Sequence, residues 1–360
     1  MKFLIGISHP KQVHMFKNMI SAFKKKGHSC CVVVNEKEFT GKLLDACGIE
    51  YIKIGINQRG VFRKSVQLFV LTLKTLLIGL RFKPDLIFGQ VVPHIAYTAF
   101  LLRKPFVVFE DTETAKTLHK IVHPFARAVV TPNSFKKNLG SKQVIIRGGF
   151  ELAYLHEEYF QPAEDIYEYL NLEPGERFVI LRFVSWQALH DIGHKGISVK
   201  NKIKAVQEFE QYARVFISSE GPLPEELEPY RYAISPSLMH HALYYADLVY
   251  GESSSMAAEA AYLGSPAVYL DNEGRGYTDY LEKHYKLVFN YSESLEDQDR
   301  SIAKGIEILN MADRKIWMSR SKVLLEDSID VNAFMAWFIE KYPESHIIMV
   351  ENPAYQERFN

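Results

Sequence analysis

Short apolar runs alternate with helical patterns along the first half of the chain. Between the runs, apolar residues such as Val13, Phe16 and Phe23 recur at the spacing of one helical face. This alternation predicts βαβ units built around a buried parallel sheet. The runs that we assign to strands are KFLIGI (2–7), SCCVVV (29–34), EYIKIG (50–55), PDLIFG (84–89), PFVVFE (105–110) and RAVVTP (127–132).

The pattern breaks between residues 148 and 176, where glycines and prolines stand among acidic residues. This composition is typical of a linker between domains. A second alternating series follows, with strand-like runs at 177–183, 213–218, 247–251, 266–270 and 286–290. The chain therefore contains two series of strands and helices, one on each side of the linker.

We predict a two-domain α/β protein in which two Rossmann-like, doubly wound domains face a central cleft. The N-terminal domain covers residues 1–150, the C-terminal domain covers 151–330, and residues 331–360 form a closing helix and tail. The cysteines show no metal-ligand spacing, and the first apolar run is too short for a signal peptide. We therefore expect a cytoplasmic protein.

Charge divides the chain into two parts of opposite sign. Residues 1–150 carry 24 Lys+Arg and 8 Asp+Glu, whereas the remaining residues carry 19 Lys+Arg and 35 Asp+Glu. A basic half indicates an anionic partner, such as a membrane, a phosphorylated substrate or nucleic acid, although the two halves could simply attract each other. The basic residues lack aromatic stacking motifs, so we expect no nucleic acid.

The segment RKSVQLFVLTLKTLLIGLRFK (63–83) predicts a long helix with Lys64, Lys74 and Arg81 near one face. We favour a core helix whose basic stripe faces outward. The alternative is an interfacial helix that lies at the inner membrane face among anionic headgroups. The 15 residues from Val66 to Leu80 are too few to span a bilayer, which needs about 20.

The segment GESSSMAAEAAYLGSPAV (251–268) predicts a strand end, a turn and a helix. Ser253, Ser254 or Ser255 can cap this helix, whose free N–H groups and dipole favour a phosphate. Glu259 is a single acid among alanines, where it could accept hydrogen bonds from a diol. Together these features indicate a nucleoside diphosphate site. The alternative is a capped core helix with one solvated glutamate.

A second polar segment, LRFVSWQALHDIGHKG (181–196), follows a strand of the C-terminal domain. Its candidate diphosphate-binding residues are Arg182, Ser185, His190, His194 and Lys195. The two histidines are four residues apart, but the segment lacks the glutamate of a metalloprotease helix and contains a glycine. We therefore expect no metal here, and the alternative is a polar interdomain loop.

ESSSMAAEAAYLGSP resembles the sugar-nucleotide signature of the GT-B superfamily, which includes UDP-N-acetylglucosamine 2-epimerases and MurG-type glycosyltransferases. Together with HPKQVHMFKNMI, FEDTETAK and the 181–196 segment, it identifies the chain as a member of a prokaryotic family within that superfamily, catalogued as domain of unknown function 354. The resemblance implies a GT-B fold. It also implies that Ser253 lies at the diphosphate and that Glu259 holds the ribose.

Two segments of the N-terminal domain depart from these relatives. Where the epimerases have a catalytic aspartate, this chain has Gln90, and an amide cannot exchange protons. Their second acid matches Glu110, and their third matches Glu113 only across a gap. The glycine-rich turn of the MurG type is replaced by a segment that contains His9 and His14, which could act on an acceptor hydroxyl.

We expect a nucleotide-sugar-dependent, metal-independent glycosyltransferase without a cofactor, which acts in surface polysaccharide or glycolipid synthesis on a lipid-phosphate-linked acceptor. His14 or Glu110 is the predicted general base. The alternatives are an epimerase-like enzyme and a non-catalytic sugar-nucleotide-binding protein.

Overall fold

The computed structural model describes residues 1–37, 39–56, 61–184, 195–232, 234–311 and 313–360, with the side chains of 61–64 left out. The chain forms two units. Unit 1 comprises Met1–Tyr159 and Ser328–Asn360, and unit 2 comprises Phe160–Asp327. The boundary lies within the predicted linker, nine residues after the predicted end of the first domain. The C-terminal segment belongs to unit 1.

Each unit contains one parallel sheet. In the described ranges, the sheet of unit 1 has seven strands in the order β3-β2-β1-β4-β5-β6-β7, and that of unit 2 has five in the order β12-β11-β10-β8-β9. The strands are β1 Lys2–Ile7, β2 Ser29–Glu36, β3 Tyr51–Ile56, β4 Leu86–Gly89, β5 Phe106–Phe109, β6 Ala128–Pro132, β7 Gln143–Ile146, β8 Phe178–Phe183, β9 Arg214–Ser219, β10 Leu248–Gly251, β11 Ala267–Leu270 and β12 Val288–Tyr291.

Helices separate most of the strands, as the alternating pattern predicts. They are α1 Pro10–Lys25, α2 Thr40–Ala46, α3 Val61–Phe82, α4 Pro93–Leu101, α5 Lys116–Val122, α6 Leu152–Leu155, α7 Ile166–Tyr169, α8 Val199–Phe209, α9 Met239–Tyr245, α10 Ser254–Tyr262, α11 Gly276–Tyr280, α12 Leu295–Asn310, α13 Lys315–Glu326, α14 Val331–Glu340 and α15 Glu344–Glu351.

The central strands are apolar along their whole length because helices cover both faces of each sheet. Residues of β4 and β5 are buried without exception, and so are those of β10 and β11. A sheet that is covered on both faces requires this composition, whereas a half-exposed sheet would show alternation. The fold class predicted from the sequence is therefore confirmed as two parallel α/β sheets with interleaved helices.

The C-terminal segment completes unit 1. Asp330 caps α14 by accepting a hydrogen bond from the backbone N–H of Ala333 (2.9 Å), and it also accepts one from the Tyr159 hydroxyl (2.6 Å). Helix α14 packs against α1, with Phe334 and Phe338 fully buried. The predicted closing helix therefore forms part of the core of the N-terminal sheet.

The prediction that α3 is a core helix is wrong, because most of its outward face is apolar, whereas Lys74 and Arg81 of the predicted basic stripe are exposed as expected. Leu71 and Thr75 face the protein, and Lys74 donates to the carbonyl of Ile54 (2.8 Å). The exposed apolar face consists of Val66, Phe69, Val70, Leu73, Leu77 and Leu80. Periodicity reveals that a helix has an apolar face, but it does not tell whether that face meets protein or solvent.

Among the described helices, one segment is long and apolar enough to cross a membrane by length and composition. It covers Ser65–Phe82, has a mean hydropathy of 1.5 and is 17% buried. The segment is longer than the 15-residue stretch considered in the sequence, so length alone does not exclude a spanning helix.

Candidate functional site

Helix α10 begins where the strand order of the second sheet reverses. From β8 the chain continues to β9 on one side and to β10 on the other. In doubly wound sheets, ligands bind beyond the carboxyl ends of the strands at such a reversal. Because β10 ends at Gly251 and α10 starts at Ser254, the predicted nucleotide segment lies at this edge of unit 2.

Gly251 allows β10 and β8 to approach closely at the site. Its φ is +144°, and a Cβ atom there would lie 2.1 Å from the carbonyl oxygen of Arg182. The next residue, Glu252, donates its backbone N–H to the same oxygen (2.9 Å). A side chain at position 251 would therefore displace the backbone from which α10 starts.

The N-terminus of α10 is capped as predicted. The Ser253 hydroxyl accepts a hydrogen bond from the backbone N–H of Met256 (3.4 Å), and the Ser254 hydroxyl accepts one from Tyr277 (2.8 Å). Ser255 is half-buried in the first turn, and the helix stops before Gly264, whose φ is +82°. The first turn presents backbone N–H groups and the positive end of the helix dipole.

Glu259 is buried, so the alternative of a solvated glutamate is wrong. Its neighbours in sequence are buried alanines of α10, and its Oε1 lies 3.4 Å from Nε2 of His240 in α9. A carboxylate is rarely buried without polar partners. Glu259 lies one to two turns inside α10, the helix that begins beyond the carboxyl end of β10.

A cluster of polar side chains lies at the carboxyl end of β11, next to α10. Asp271 accepts hydrogen bonds from the Tyr269 hydroxyl (2.6 Å) and from the backbone N–H of Glu273 (3.0 Å), and it forms an ion pair with Arg275 (3.1 Å). Burial raises the pKa of Tyr269 well above its usual value. Helix α11 starts after Arg275 and carries Tyr277, which donates to α10.

Glu252 was missed by the sequence analysis. One carboxylate oxygen accepts the N–H of Val184 (2.8 Å), and the other accepts the N–H of Ile197 (2.6 Å). The Lys202 ammonium lies 3.5 Å away. The two N–H groups belong to residues on either side of the 185–194 segment, so Glu252 links the end of β8 to the residues that precede α8.

The structure describes two of the five residues that were predicted to bind the diphosphate from the 181–196 segment. Arg182 lies near the carboxyl end of β8. It donates to the Ser218 hydroxyl (2.8 Å) and forms an ion pair with Glu220 (2.5 Å). Lys195 is exposed, and its backbone N–H donates to Glu293 (2.6 Å). Three further predicted residues lie outside the described ones: Ser185, His190 and His194.

In unit 1 the strand order reverses between β1 and β4, and two predicted residues follow these strands. His9 accepts the N–H of Lys11 through Nδ1 (3.2 Å) and so caps α1. Gln90 accepts a hydrogen bond from Gln12 (3.0 Å), which itself accepts the N–H of Ser8 (2.6 Å). The amide of Gln90 is therefore part of a network that joins the ends of both strands.

His14 and Glu113, two of the predicted catalytic residues, lie on α1 and in the segment after β5. The His14 ring is mostly buried, with its centroid 5.3 Å from that of Tyr154. The Glu113 carboxylate accepts the N–H of Lys136 (2.9 Å).

Lys11 holds two buried carboxylates that the sequence analysis did not identify. Its ammonium lies 2.7 Å from Asp111 and 2.9 Å from Glu151. Burial alone would raise the pKa of Asp111, but the charge and hydrogen bond of Lys11 hold it below its usual value. Burial raises the pKa of Glu151, and repulsion from Asp111 adds to this effect against the attraction of Lys11. The two acids therefore differ in their affinity for a proton.

Glu110 directly follows β5 and is buried. One of its oxygens accepts the N–H of Thr112 (2.7 Å), and the other lies 3.2 Å from Nε2 of His119. The predicted acid thus lies beside a histidine that the sequence did not single out.

The two sheets, their strand orders and the helix that starts beyond β10 define a GT-B fold. The Methanocaldococcus jannaschii UDP-GlcNAc 2-epimerase in complex with UDP-GlcNAc and UDP is similar, with a TM-score of 0.66 at 14% identity, over 91% of this chain and 100% of that one. The Neisseria meningitidis UDP-GlcNAc 2-epimerase bound to UDP-GlcNAc gives a TM-score of 0.60 at 13% identity, over 91% and 99%. MurG from Acinetobacter baumannii gives 0.59 at 13% identity, over 95% and 100%.

Residues 1–284 match the family described as "Protein of unknown function (DUF354)", and the chain belongs to this family. The family membership expected from the sequence is thereby confirmed. No curated protein matches the chain in sequence. At these levels of identity, the similar structures establish the fold alone.

Proposed function

We propose that the protein is a nucleotide-sugar-dependent glycosyltransferase that binds its donor at the N-terminus of α10. The observation that carries the proposal is the combination of a serine-capped helix start with a buried acid in the same helix, at the strand-order reversal of unit 2. The first turn meets the diphosphate through backbone N–H groups, the serine hydroxyls and the helix dipole. Glu259 accepts hydrogen bonds from the ribose hydroxyls.

Similar structures support this assignment, since those from M. jannaschii and N. meningitidis hold UDP-GlcNAc or UDP. In our proposal the N–H groups and the positive dipole end at the N-terminus of α10 balance the charge of the diphosphate. Donor binding therefore needs no metal or cofactor. Ser185, His190, His194 and Lys195 remain predictions for the same ligand.

We favour transfer over epimerisation because of Gln90. The epimerase reaction needs an acid or base at this place, and an amide that already bonds to Gln12 cannot exchange protons. His14 is our candidate base for the acceptor hydroxyl, because Glu110 is buried, one of its oxygens already accepts the N–H of Thr112, and the other faces two histidines. An epimerase-like enzyme and a non-catalytic binding protein are the competing functions.

Donor binding is tested by calorimetry of the full-length protein with UDP-, GDP-, CDP- and dTDP-sugars. One donor class should bind selectively and, at about 100 times its dissociation constant, should stabilise the fold by roughly 2.7 kcal/mol. Glu259→Gln should weaken this binding by about 1–3 kcal/mol, roughly 5- to 150-fold, because it removes a charged acceptor. Glu307→Gln, an exposed glutamate of α12, is the control.

Equal donor affinity in wild type and Glu259→Gln would remove Glu259 from the site, and the absence of any binding would reject the proposed function. NMR of the bound sugar then separates the competing functions. A transferase leaves the donor intact until an acceptor is added, an epimerase converts it alone, and a binding protein does neither.

We also propose that unit 1 docks on an anionic membrane through the exposed face of α3, in the cytoplasm at the inner membrane face. Phe69 is 71% exposed, and other large apolar side chains continue its stripe along the helix. Arg81, Lys83 and Arg103 are exposed near the C-terminal ends of α3 and α4. An apolar stripe beside cations complements the headgroups and acyl chains of an anionic surface. At this membrane surface the protein would meet a lipid-phosphate-linked acceptor of polysaccharide or glycolipid synthesis.

Flotation with vesicles of phosphatidylcholine, with and without phosphatidylglycerol, tests this docking. Wild type should float with the anionic vesicles, and the double variant Phe69→Ser/Leu73→Ser should lose most of this binding. Val199→Ser/Leu295→Ser, which changes two exposed apolar residues of unit 2, is the matched control. Undiminished flotation of the α3 variant, or dimerisation through this face without vesicle binding, would contradict the proposal.

A further inference from the structure

Three metal-ligating side chains converge at the carboxyl end of β5. Glu110 follows the strand, His119 lies in α5, and His123 comes four residues later, where its backbone N–H bonds to the carbonyl of His119. One helical turn therefore brings both imidazoles to the same side. Their rings are stacked, with centroids 4.5 Å apart and planes inclined by 12°.

The facing atoms of this cluster lack hydrogen bonds. In the described part of the chain, Oε2 of Glu110 and Nε2 of His119 and His123 are buried without a partner at hydrogen-bonding geometry. Glu110 and His119 are more than nine-tenths buried. Buried polar atoms are normally satisfied, so three unsatisfied atoms directed at one another require an explanation.

Their spacing fits a metal ion. Oε2 of Glu110 lies 3.2 Å from Nε2 of His119 and 3.9 Å from Nε2 of His123, and the three ligand atoms are all within 4.8 Å of one another. Two ligands of a tetrahedral zinc ion, each about 2.0–2.1 Å from the metal, are about 3.3–3.4 Å apart. Small side-chain movements would bring the three atoms to this separation.

We propose that Glu110, His119 and His123 bind one divalent transition-metal ion of the zinc class. Two imidazoles and a carboxylate are ligands of this class, and three protein ligands leave the fourth position for water or a substrate oxygen. The N–H of Thr112 holds the other oxygen of Glu110 and so orients the ligand. This proposal departs from the expectation, drawn from the sequence, of a protein without a metal site.

The site involves unit 1 alone and does not depend on the proposed donor site in α10. A failure here leaves nucleotide-sugar binding unaffected, and a failure of donor binding leaves the metal unaffected. A metal at this place also supports the choice of His14 over Glu110 as the candidate base, because a metal-bound carboxylate is a poor proton acceptor.

The test first removes any metal from the full-length protein with a chelator and then adds Zn²⁺. We expect one Zn²⁺ per chain to remain bound after gel filtration, as measured by mass spectrometry of the metal. His119→Gln and His123→Gln should each lower the affinity by more than about 100-fold, because even the loss of a residue that orients a ligand costs 10–100-fold. His284→Gln, an exposed histidine of unit 2, should bind like wild type.

Co²⁺ provides a readout that needs no variant, since its visible absorption reports tetrahedral coordination in the wild-type protein. Circular dichroism shows whether each variant is folded. The proposal is overturned if wild type retains no ion and Co²⁺ gives no tetrahedral spectrum, or if folded variants bind as tightly as wild type. The cluster would then be an acid flanked by two histidines.

Discussion

Replacement of Gly251 by alanine is expected to lower the free energy of unfolding by at least about 4 kcal/mol, a loss that few single substitutions reach. The new Cβ would lie 2.1 Å from the carbonyl oxygen of Arg182, which is backbone and cannot rotate away. The φ of +144° adds strain, because only glycine adopts it readily. Urea unfolding followed by circular dichroism measures the loss.

The Gly175→Ala variant distinguishes the effect of a steric clash of the new Cβ from the effect of backbone strain. Gly175 also has a positive φ (+83°), but within the described chain a Cβ there would meet nothing within 4 Å. This variant should lose only about 1–2 kcal/mol, the cost of the left-handed conformation. Equal losses in the two variants would show that β8 and β10 can move apart, and that Gly251 is not needed for their approach.

Glu252→Gln should destabilise the protein by about 3–5 kcal/mol, as expected when one member of a buried charged group is removed. Each carboxylate oxygen accepts one backbone N–H, from Val184 and from Ile197. Glutamine offers only one oxygen, so its NH₂ group would face the remaining N–H donor. The Lys202 ammonium would also lose its partner charge.

Glu293→Gln is the matched control, because Glu293 also accepts two backbone N–H groups next to this segment, from Lys195 (2.6 Å) and Gly196 (2.9 Å). Both contacts involve a single oxygen, which glutamine retains, and the side chain is only half-buried. We expect a loss below about 1.5 kcal/mol in the same urea assay. If Glu252→Gln costs no more than this, the bonds of Glu252 to Val184 and Ile197 contribute little to stability.

Local patterns were sufficient to predict every described strand except β7, and also the capped helix. The run KFLIGI matches β1 residue for residue, and the serines of 253–255 stand at the start of α10 as predicted. Both features depend on neighbours in sequence: an apolar run forms a strand, and a serine hydroxyl reaches an N–H a few residues ahead.

The partners of individual charges could not be predicted in this way. Glu252 bonds to residues 68 and 55 positions earlier, and Lys11 meets Asp111 across 100 positions. Such pairs depend on which strand ends are adjacent in the sheet, and the sequence does not state the strand order. The histidines beside Glu110 are four residues apart, a spacing that places two side chains on the same side of any helix.

The placement of α14 has a consequence for how the protein is made. Because residues 328–360 belong to unit 1, unit 2 is an insertion within a discontinuous domain. During synthesis, unit 2 is fully released while the last helices of unit 1 are still being translated. The domain that begins first on the ribosome is therefore the one that finishes last, and its core stays open until α14 reaches α1.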